Sequence, residues 1–130
     1  MEITVSQEKG RVPVTVFHLK GDLNASTSDD FQTKAKAAID AGAHNVVVDL
    51  GAVGYMSSAG MRTLNQLFNW LTSSAAEEEA IRKGITSGKM KSPHLKLLHP
   101  TPRVLDALKL AGFDMFLEIF TDANKAVNSF

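Results

Sequence analysis

Two adjacent serines, Ser57 and Ser58, lie where an apolar run gives way to an amphipathic segment. A serine at the start of a helix can accept a hydrogen bond from a backbone N–H and cap the helix. It can also carry a phosphate, which would meet the free N–H groups and the positive end of the helix dipole. We predict that Ser58 is the cap and that a phosphate can be accommodated there. Arg62, one turn later, is placed to pair with that phosphate or with a carboxylate of a partner.

A serine in a strand-to-helix turn also raises the question of nucleophilic catalysis. The Gly-x-Ser-x-Gly elbow of serine hydrolases needs a glycine two residues to either side of the serine. Gly60 satisfies this after Ser58, but Met56 stands in the position before it. The phosphate-binding patterns Gly-x-x-x-x-Gly-Lys-Ser/Thr and Gly-x-Gly-x-x-Gly are absent from the sequence as well. We therefore expect no enzyme activity and no cofactor.

Histidines are the other side chains that invite a chemical interpretation, because imidazole is a common metal ligand. No two of them have the i, i+4 helical spacing or the close hairpin spacing of a ligand pair. We expect no metal site among the four, which are His18, His44, His94 and His99.

The composition is that of an ordinary globular domain, with 44% hydrophobic and 22% charged residues in 130. Lys plus Arg and Asp plus Glu each number 14, so no excess of cations favours non-specific binding of nucleic acid. The absence of cysteine excludes disulfides and thiolate metal sites. The N-terminal residues lack the pattern of a signal peptide, and no apolar run reaches the roughly 18 residues of a membrane span. These features favour a cytoplasmic protein, by default a monomer, with no insertion into a membrane.

Apolar residues alternate in some segments and recur at helical spacing in others, which predicts an α/β fold. Strands are expected at 3–7, 12–20, 45–50, 94–99 and 116–120. The first two are joined by a short turn and should be antiparallel, whereas the later ones should pair in parallel through helical crossovers. The run Val46–Val48 predicts a strand covered on both faces. The whole chain, 1–130, is interpreted as one domain, with a mixed sheet flanked by about four helices.

Capping residues and glycines mark the expected ends of these helices. The first should begin at one of Ser26, Thr27 and Ser28, with Thr27 and Asp30 as a capping box, and end at Gly42. The later helices should begin near Ser58, at Thr101 with Pro102 in the first turn, and at Thr121. The third should bury Val104, Leu105, Leu108 and Ala111, and the last should bury Ala126, Val127 and Phe130. Residues 73–92 break the pattern and are interpreted as a polar insertion, with a short helix at 75–83 as one option.

The segment 46–62, Val-Val-Val-Asp-Leu-Gly-Ala-Val-Gly-Tyr-Met-Ser-Ser-Ala-Gly-Met-Arg, resembles the signature of STAS domains, the anti-sigma factor antagonist family. Gly21-Asp22-Leu23-Asn24 resembles the Gly-Glu-Leu-Asp turn that follows the second strand in that family. The segment 100–113 resembles the family's later helix and the Gly-Leu or Gly-Phe pair that ends it. The resemblance extends over nearly the whole chain apart from the insertion.

The resemblance implies a non-enzymatic bacterial domain that takes part in partner switching and the regulation of transcription. Such a domain binds an anti-sigma factor, often itself a serine kinase, and thereby releases a sigma factor. Phosphorylation by the kinase prevents binding, and a serine phosphatase restores it. Alignment through Gly60 places the phosphorylated residue at Ser58, with Ser57 as the alternative. The implied partner-binding residues are Asp22, Asn24, Ser57, Ala59, Gly60, Met61 and Arg62.

This site is less acidic than that of the familiar antagonists. Ser57 stands where many of them have Asp, and Asn24 replaces the acid of the turn. Two other roles therefore stay open. One is a scaffold STAS domain that is never phosphorylated, and the other is a soluble accessory module of a transporter.

Overall fold

The computed structural model describes residues 1–71 and 92–130, and in these residues five strands form one sheet. The strands are β1 (Glu2–Lys9), β2 (Pro13–Lys20), β3 (Val46–Ala52), β4 (Leu95–Leu98) and β5 (Glu118–Phe120). They lie side by side in chain order; β1 and β2 are antiparallel, and every later pair is parallel. The mixed sheet expected from the sequence is therefore confirmed.

Four α-helices accompany the sheet in the described residues, in agreement with the expected number. They are α1 (Ala25–Asp40), α2 (Ser58–Trp70), α3 (Pro102–Leu110) and α4 (Ala123–Asn128), and a short 3₁₀ helix spans Phe113–Met115. Residues 72–91, which include most of the predicted insertion and the optional helix at 75–83, lie outside the described residues. Ser92, the last residue assigned to that insertion, is buried, and its N–H donates to the Phe116 carbonyl over 2.7 Å.

The two faces of the sheet are covered to different extents. The larger core lies on one face, where Phe17, Val48 and Leu97 pack against side chains of α1, α2 and α3. A smaller apolar cluster lies on the other face under α4 and consists of Val14, Val16, Val47, Leu98 and Ala126. Because successive residues of a strand point to opposite faces, Val46–Val48 contributes to both clusters, as its apolar run predicts.

Several helices begin at a residue other than the expected one. Asn24, not Ser26, Thr27 or Ser28, caps α1, and the capping box joins Thr27 to Asn24 rather than to Asp30. Asp122, not Thr121, caps α4 and accepts from the Lys125 N–H over 3.1 Å. Thr101 caps α3 as predicted, with Pro102 in the first turn. Where capping residues are adjacent in sequence, the one that adopts an extended backbone becomes the cap, and neighbouring elements decide which that is.

The expectations for α3 and β5 need smaller corrections. Ala111 is exposed rather than buried, because α3 ends at Leu110 and Ala111 is already its C-cap. The last strand begins at Glu118, since the 3₁₀ helix and a turn occupy the preceding residues. Ala126 is fully buried as predicted, and Val127 and Phe130 are half-buried.

The cap at Asn24 provides a test of how α1 is held. Its side chain accepts from the Ser26 N–H over 3.0 Å, and its own N–H donates to Thr27 Oγ1 over 2.9 Å. We expect Asn24→Ala to lower the free energy of unfolding by about 1 kcal/mol, and Asn24→Ser, which keeps a capping oxygen, to lower it far less. Urea unfolding of the three proteins measures this, and equal losses in the two variants would show that the cap is not the cause.

Candidate functional site

The site is built where the loop after β2 meets the loop after β3. Leu23 joins the two loops through its backbone: its N–H donates to the Tyr55 carbonyl, and its carbonyl accepts from the Ser57 N–H, both over 2.9 Å. Leu23 also forms an isolated parallel bridge with Met56, and both side chains are buried. The residues that resemble the family's two turns are thus held side by side at the carboxyl ends of β2 and β3.

The backbone bridge determines which serine caps α2. Because the Ser57 N–H donates to Leu23, Ser57 is held extended, with φ −85° and ψ 174°, and its side chain accepts from the Gly60 N–H over 3.4 Å. The prediction that Ser58 is the cap is therefore wrong, and Ser58 is the first residue of the helix. Ser58 is exposed, whereas Ser57 is half-buried. The hydroxyl that is most accessible to another protein is consequently the one that does not cap the helix.

Gly60 is a structural requirement of this turn. A β-carbon on Gly60 would lie 2.9 Å from both the carbonyl oxygen and the Cγ atom of Leu23. At that separation, backbone would have to move, which disrupts the bridge. Gly60 is buried, so it shapes the partner-binding surface predicted from the sequence without offering a side chain to it.

The other predicted partner-binding residues lie around Ser58. Asp22 and Arg62 are exposed, and Ala59 is half-buried. Asn24 is half-buried because its side chain caps α1. Met61 is half-buried and packs against the main core, which leaves only part of its side chain to a partner.

Three further residues, Tyr55, Thr101 and Arg103, border this surface and were not assigned to it from the sequence. The Arg103 guanidinium lies 5.4 Å from the centre of the Tyr55 ring, and Tyr55 as a whole residue is 42% exposed. The hydroxyl of Thr101 donates to the Val53 carbonyl over 3.2 Å and fixes the start of α3 beside the β3–α2 loop. Tyr and Arg are enriched at protein interfaces, so this pair belongs with the candidate surface. The signal for this pair in the sequence was Tyr55, an aromatic residue three positions before Ser58.

The histidines form two separate groups in the structure. The rings of His44 and His94 are in contact at an angle of 48°, with centres 4.1 Å apart, and His94 Nδ1 lies 3.1 Å from Asn45 Oδ1. His18 and His99 line the same cavities on the face of the sheet that carries α4. Among residues 1–71 and 92–130, no three His, Asp or Glu side chains are placed to hold a metal ion. Over the same residues, no helix has both the length and the apolar character needed to cross a lipid bilayer.

The protein is an α/β domain with a five-stranded mixed sheet, and a serine begins the helix that follows the third strand. The family model for the STAS domain matches residues 5–77. The chain belongs to the STAS domain family, as its sequence motifs suggested.

Similar proteins agree with this assignment. A relative in Bordetella bronchiseptica, named "Putative anti-sigma factor antagonist BtrV", is 27% identical over 124 residues, which are 95% of this chain and 87% of that protein. An anti-sigma factor antagonist from Mycobacterium paratuberculosis has the same fold, with a TM-score of 0.72, 18% identity and coverage of 98% of this chain and 93% of that one. SpoIIAA, a Bacillus cell fate determinant solved in its phosphorylated form, gives a TM-score of 0.64, 16% identity and coverage of 98% and 97%.

The different roles of the two serines can be separated by stability measurements. We expect Ser57→Ala to lower the free energy of unfolding by about 1 kcal/mol, because the N-cap is lost. Ser58→Ala should change it by less than about 0.5 kcal/mol, since an exposed first helical position tolerates alanine. Thermal or urea unfolding measures both, and a larger loss at Ser58 than at Ser57 would contradict the assignment of the cap.

Proposed function

We propose that this chain is an anti-sigma factor antagonist that binds an anti-sigma factor or serine kinase and is switched off by phosphorylation at Ser58. In this role it acts as a cytoplasmic binding protein without a cofactor, and a serine phosphatase reverses the modification. The protein acts as a monomeric single domain and contacts neither nucleic acid nor membrane. The proposal is supported by membership of the STAS family and by the names of the similar proteins.

One observation carries the choice of Ser58. It is an exposed hydroxyl in the first turn of a 13-residue helix whose cap is supplied by its neighbour. Among the described contacts, the N–H groups of Ser58 and Ala59 have no protein acceptor, whereas those of Gly60 and Met61 donate to Ser57. A phosphate on Ser58 would add close to two negative charges beside these N–H groups and the positive end of the helix. The modification therefore changes the surface without removing the cap.

The surroundings of Ser58 indicate how a phosphate would affect binding. Arg62 lies four residues later on the same helix, where side chains at i and i+4 are neighbours. The exposed Asp22 carboxylate lies close to Gly54: a β-carbon added to Gly54 would be 3.5 Å from Asp22 Oδ1. In the unmodified protein, this surface offers Arg62 to a carboxylate of the partner. A phosphate on Ser58 would compete for Arg62 and would repel acidic groups of the partner.

Phosphosite mapping tests the choice of serine. The protein is incubated with ATP and a cognate anti-sigma serine kinase, and the modified residue is identified by mass spectrometry. We expect phosphate on Ser58 in the wild type and in Ser57→Ala, and none in Ser58→Ala. Phosphate on Ser57 alone, or none with an active cognate kinase, would reject the assignment and favour a scaffold domain.

Binding measurements test the switch itself. We expect Ser58→Asp to weaken binding to the anti-sigma factor at least tenfold, or about 1.4 kcal/mol, because it adds a negative charge to the surface. Ser58→Asn is the matched control, since it has nearly the same shape without the charge and should bind far more tightly than Ser58→Asp. Calorimetry that gives equal affinities for the Asp and Asn variants would remove the electrostatic basis of the switch. Micromolar binding of a nucleotide or lipid, with no protein partner, would instead support an accessory module.

A further inference from the structure

A serine, a histidine and an aspartate form a continuous chain of hydrogen bonds on the face of the sheet that carries α4. Ser6 Oγ lies 2.9 Å from His18 Nε2, and His18 Nδ1 lies 2.9 Å from Asp49 Oδ2. The other carboxylate oxygen, Oδ1, accepts from the Gly51 N–H over 3.0 Å, which fixes the carboxylate. The three residues come from β1, β2 and β3, so the sheet itself sets their spacing.

The direction of these hydrogen bonds follows from the chemistry of the groups. An ionised carboxylate only accepts, so Asp49 requires the proton of a neutral imidazole to be on His18 Nδ1. Nε2 is then the acceptor and faces the Ser6 hydroxyl. This is the arrangement in which a histidine removes the proton of a serine nucleophile while a carboxylate orients the ring. The side chains of His18 and Asp49 are 41% and 23% exposed, so water can reach the base.

A cavity of about 290 Å³ lies next to these hydrogen-bonded side chains, between the sheet and α4. Its apolar wall includes Val16, Val47, Leu98 and Val127, and His18, Asp49 and His99 also line it. Glu8 lines this cavity, and Thr4 lines a second cavity that His18 also lines. Ser6 lies between Thr4 and Glu8 on the same face of β1, because side chains two residues apart share a face. Its lining combines apolar side chains with polar groups that include His18, the hydrogen-bond partner of Ser6, and this combination suits a short acyl chain.

The strand register also determines the direction of the backbone N–H that follows Ser6. The Thr15 N–H donates to the Asn45 carbonyl, so the backbone polar groups of Thr15 point to β3. Those of the next residue, Val16, therefore point to β1, where Val16 pairs with Ser6. Backbone groups of successive residues point in opposite directions, and β1 is at the edge of the described sheet. The N–H of Gln7 is therefore directed to the free edge, immediately after Ser6. In serine hydrolases, the residue after the nucleophile commonly donates to the oxyanion.

We propose that Ser6 is a nucleophile that accepts short acyl groups from carboxylic esters and releases them to water. Ser6 Oγ forms a bond to the ester carbonyl carbon, and His18 Nε2 takes the hydroxyl proton. That proton passes to the departing alcohol as the ester C–O bond breaks. Water then attacks the acyl-serine, its proton is taken by His18 and returned to Ser6 Oγ, and a carboxylic acid leaves. This activity lies on the opposite face of the sheet from the main core and does not depend on the proposed switch at Ser58.

The test uses the full chain and p-nitrophenyl butyrate. We expect release of p-nitrophenolate, and a butyryl group located on Ser6 by peptide mass spectrometry after rapid acid quenching. Ser6→Ala and His18→Gln should each lower the rate at least about tenfold, as expected for loss of a nucleophile or a general base. Asp49→Asn should lower it as well, because the asparagine no longer holds His18 in the required tautomer.

Control variants separate this mechanism from simpler ones. Thr33→Ala, on the exposed side of α1, should leave the rate within about twofold of the wild type. If Ser6→Ala hydrolyses the ester as fast as the wild type and no acyl group is found on Ser6, the proposal is wrong. Loss of activity in His99→Gln together with full activity in Ser6→Ala would assign the hydrolysis to an exposed imidazole. Labelling of wild-type Ser6 needs no variant, so the test stands even where a substitution prevents folding.

Discussion

The arrangement of the candidate switch depends on the backbone bridge between Leu23 and the β3–α2 loop. Two hydrogen bonds of 2.9 Å join Leu23 to Tyr55 and Ser57, and the fully buried Leu23 side chain packs against Gly60. Buried backbone groups need partners, and here each loop satisfies the other. The bridge holds Ser57 extended, and an extended residue immediately before a helix is the one that caps it. The exposure of Ser58 is thus a consequence of contacts made by its neighbour.

Strand alternation divides the chemistry of the molecule between the two faces of the sheet. In β3, Val48 and Leu50 belong to the main core, while Asp49 between them points to the face that carries α4. The residues that follow β3 lead into the loop that precedes Ser58. A single strand therefore supports the candidate partner surface at its carboxyl end and the hydrogen-bonded Ser6, His18 and Asp49 side chains on one face. Neither site shares a side chain with the other, so one can change without the other.

Much of the fold could be predicted from the sequence because strands and helices leave local patterns. Alternation in β1, the run Val46–Val48 and the amphipathic segment after Ser58 were each sufficient to identify an element. The cap positions were less predictable, since Ser57 and Ser58 have identical side chains and only the contact with Leu23 distinguishes them. Ser6, His18 and Asp49 could not be grouped from sequence, because the register of three strands decides whether they meet. A slip of one residue would place one of them on the opposite face.

The relative sizes of two electrostatic effects indicate where a phosphate on Ser58 would act. A negative charge in the first turn of a helix is stabilising by about 0.3–1 kcal/mol, and the cap on Ser57 is not displaced. Unfavourable juxtaposition of like charges at an interface costs several kcal/mol. In the proposed switch, the fold would therefore tolerate the modification, whereas a complex that brings acidic groups of a partner close to Ser58 would be weakened. A switch with this balance requires no conformational change in the domain, because the energy difference arises in the complex and not in the free protein.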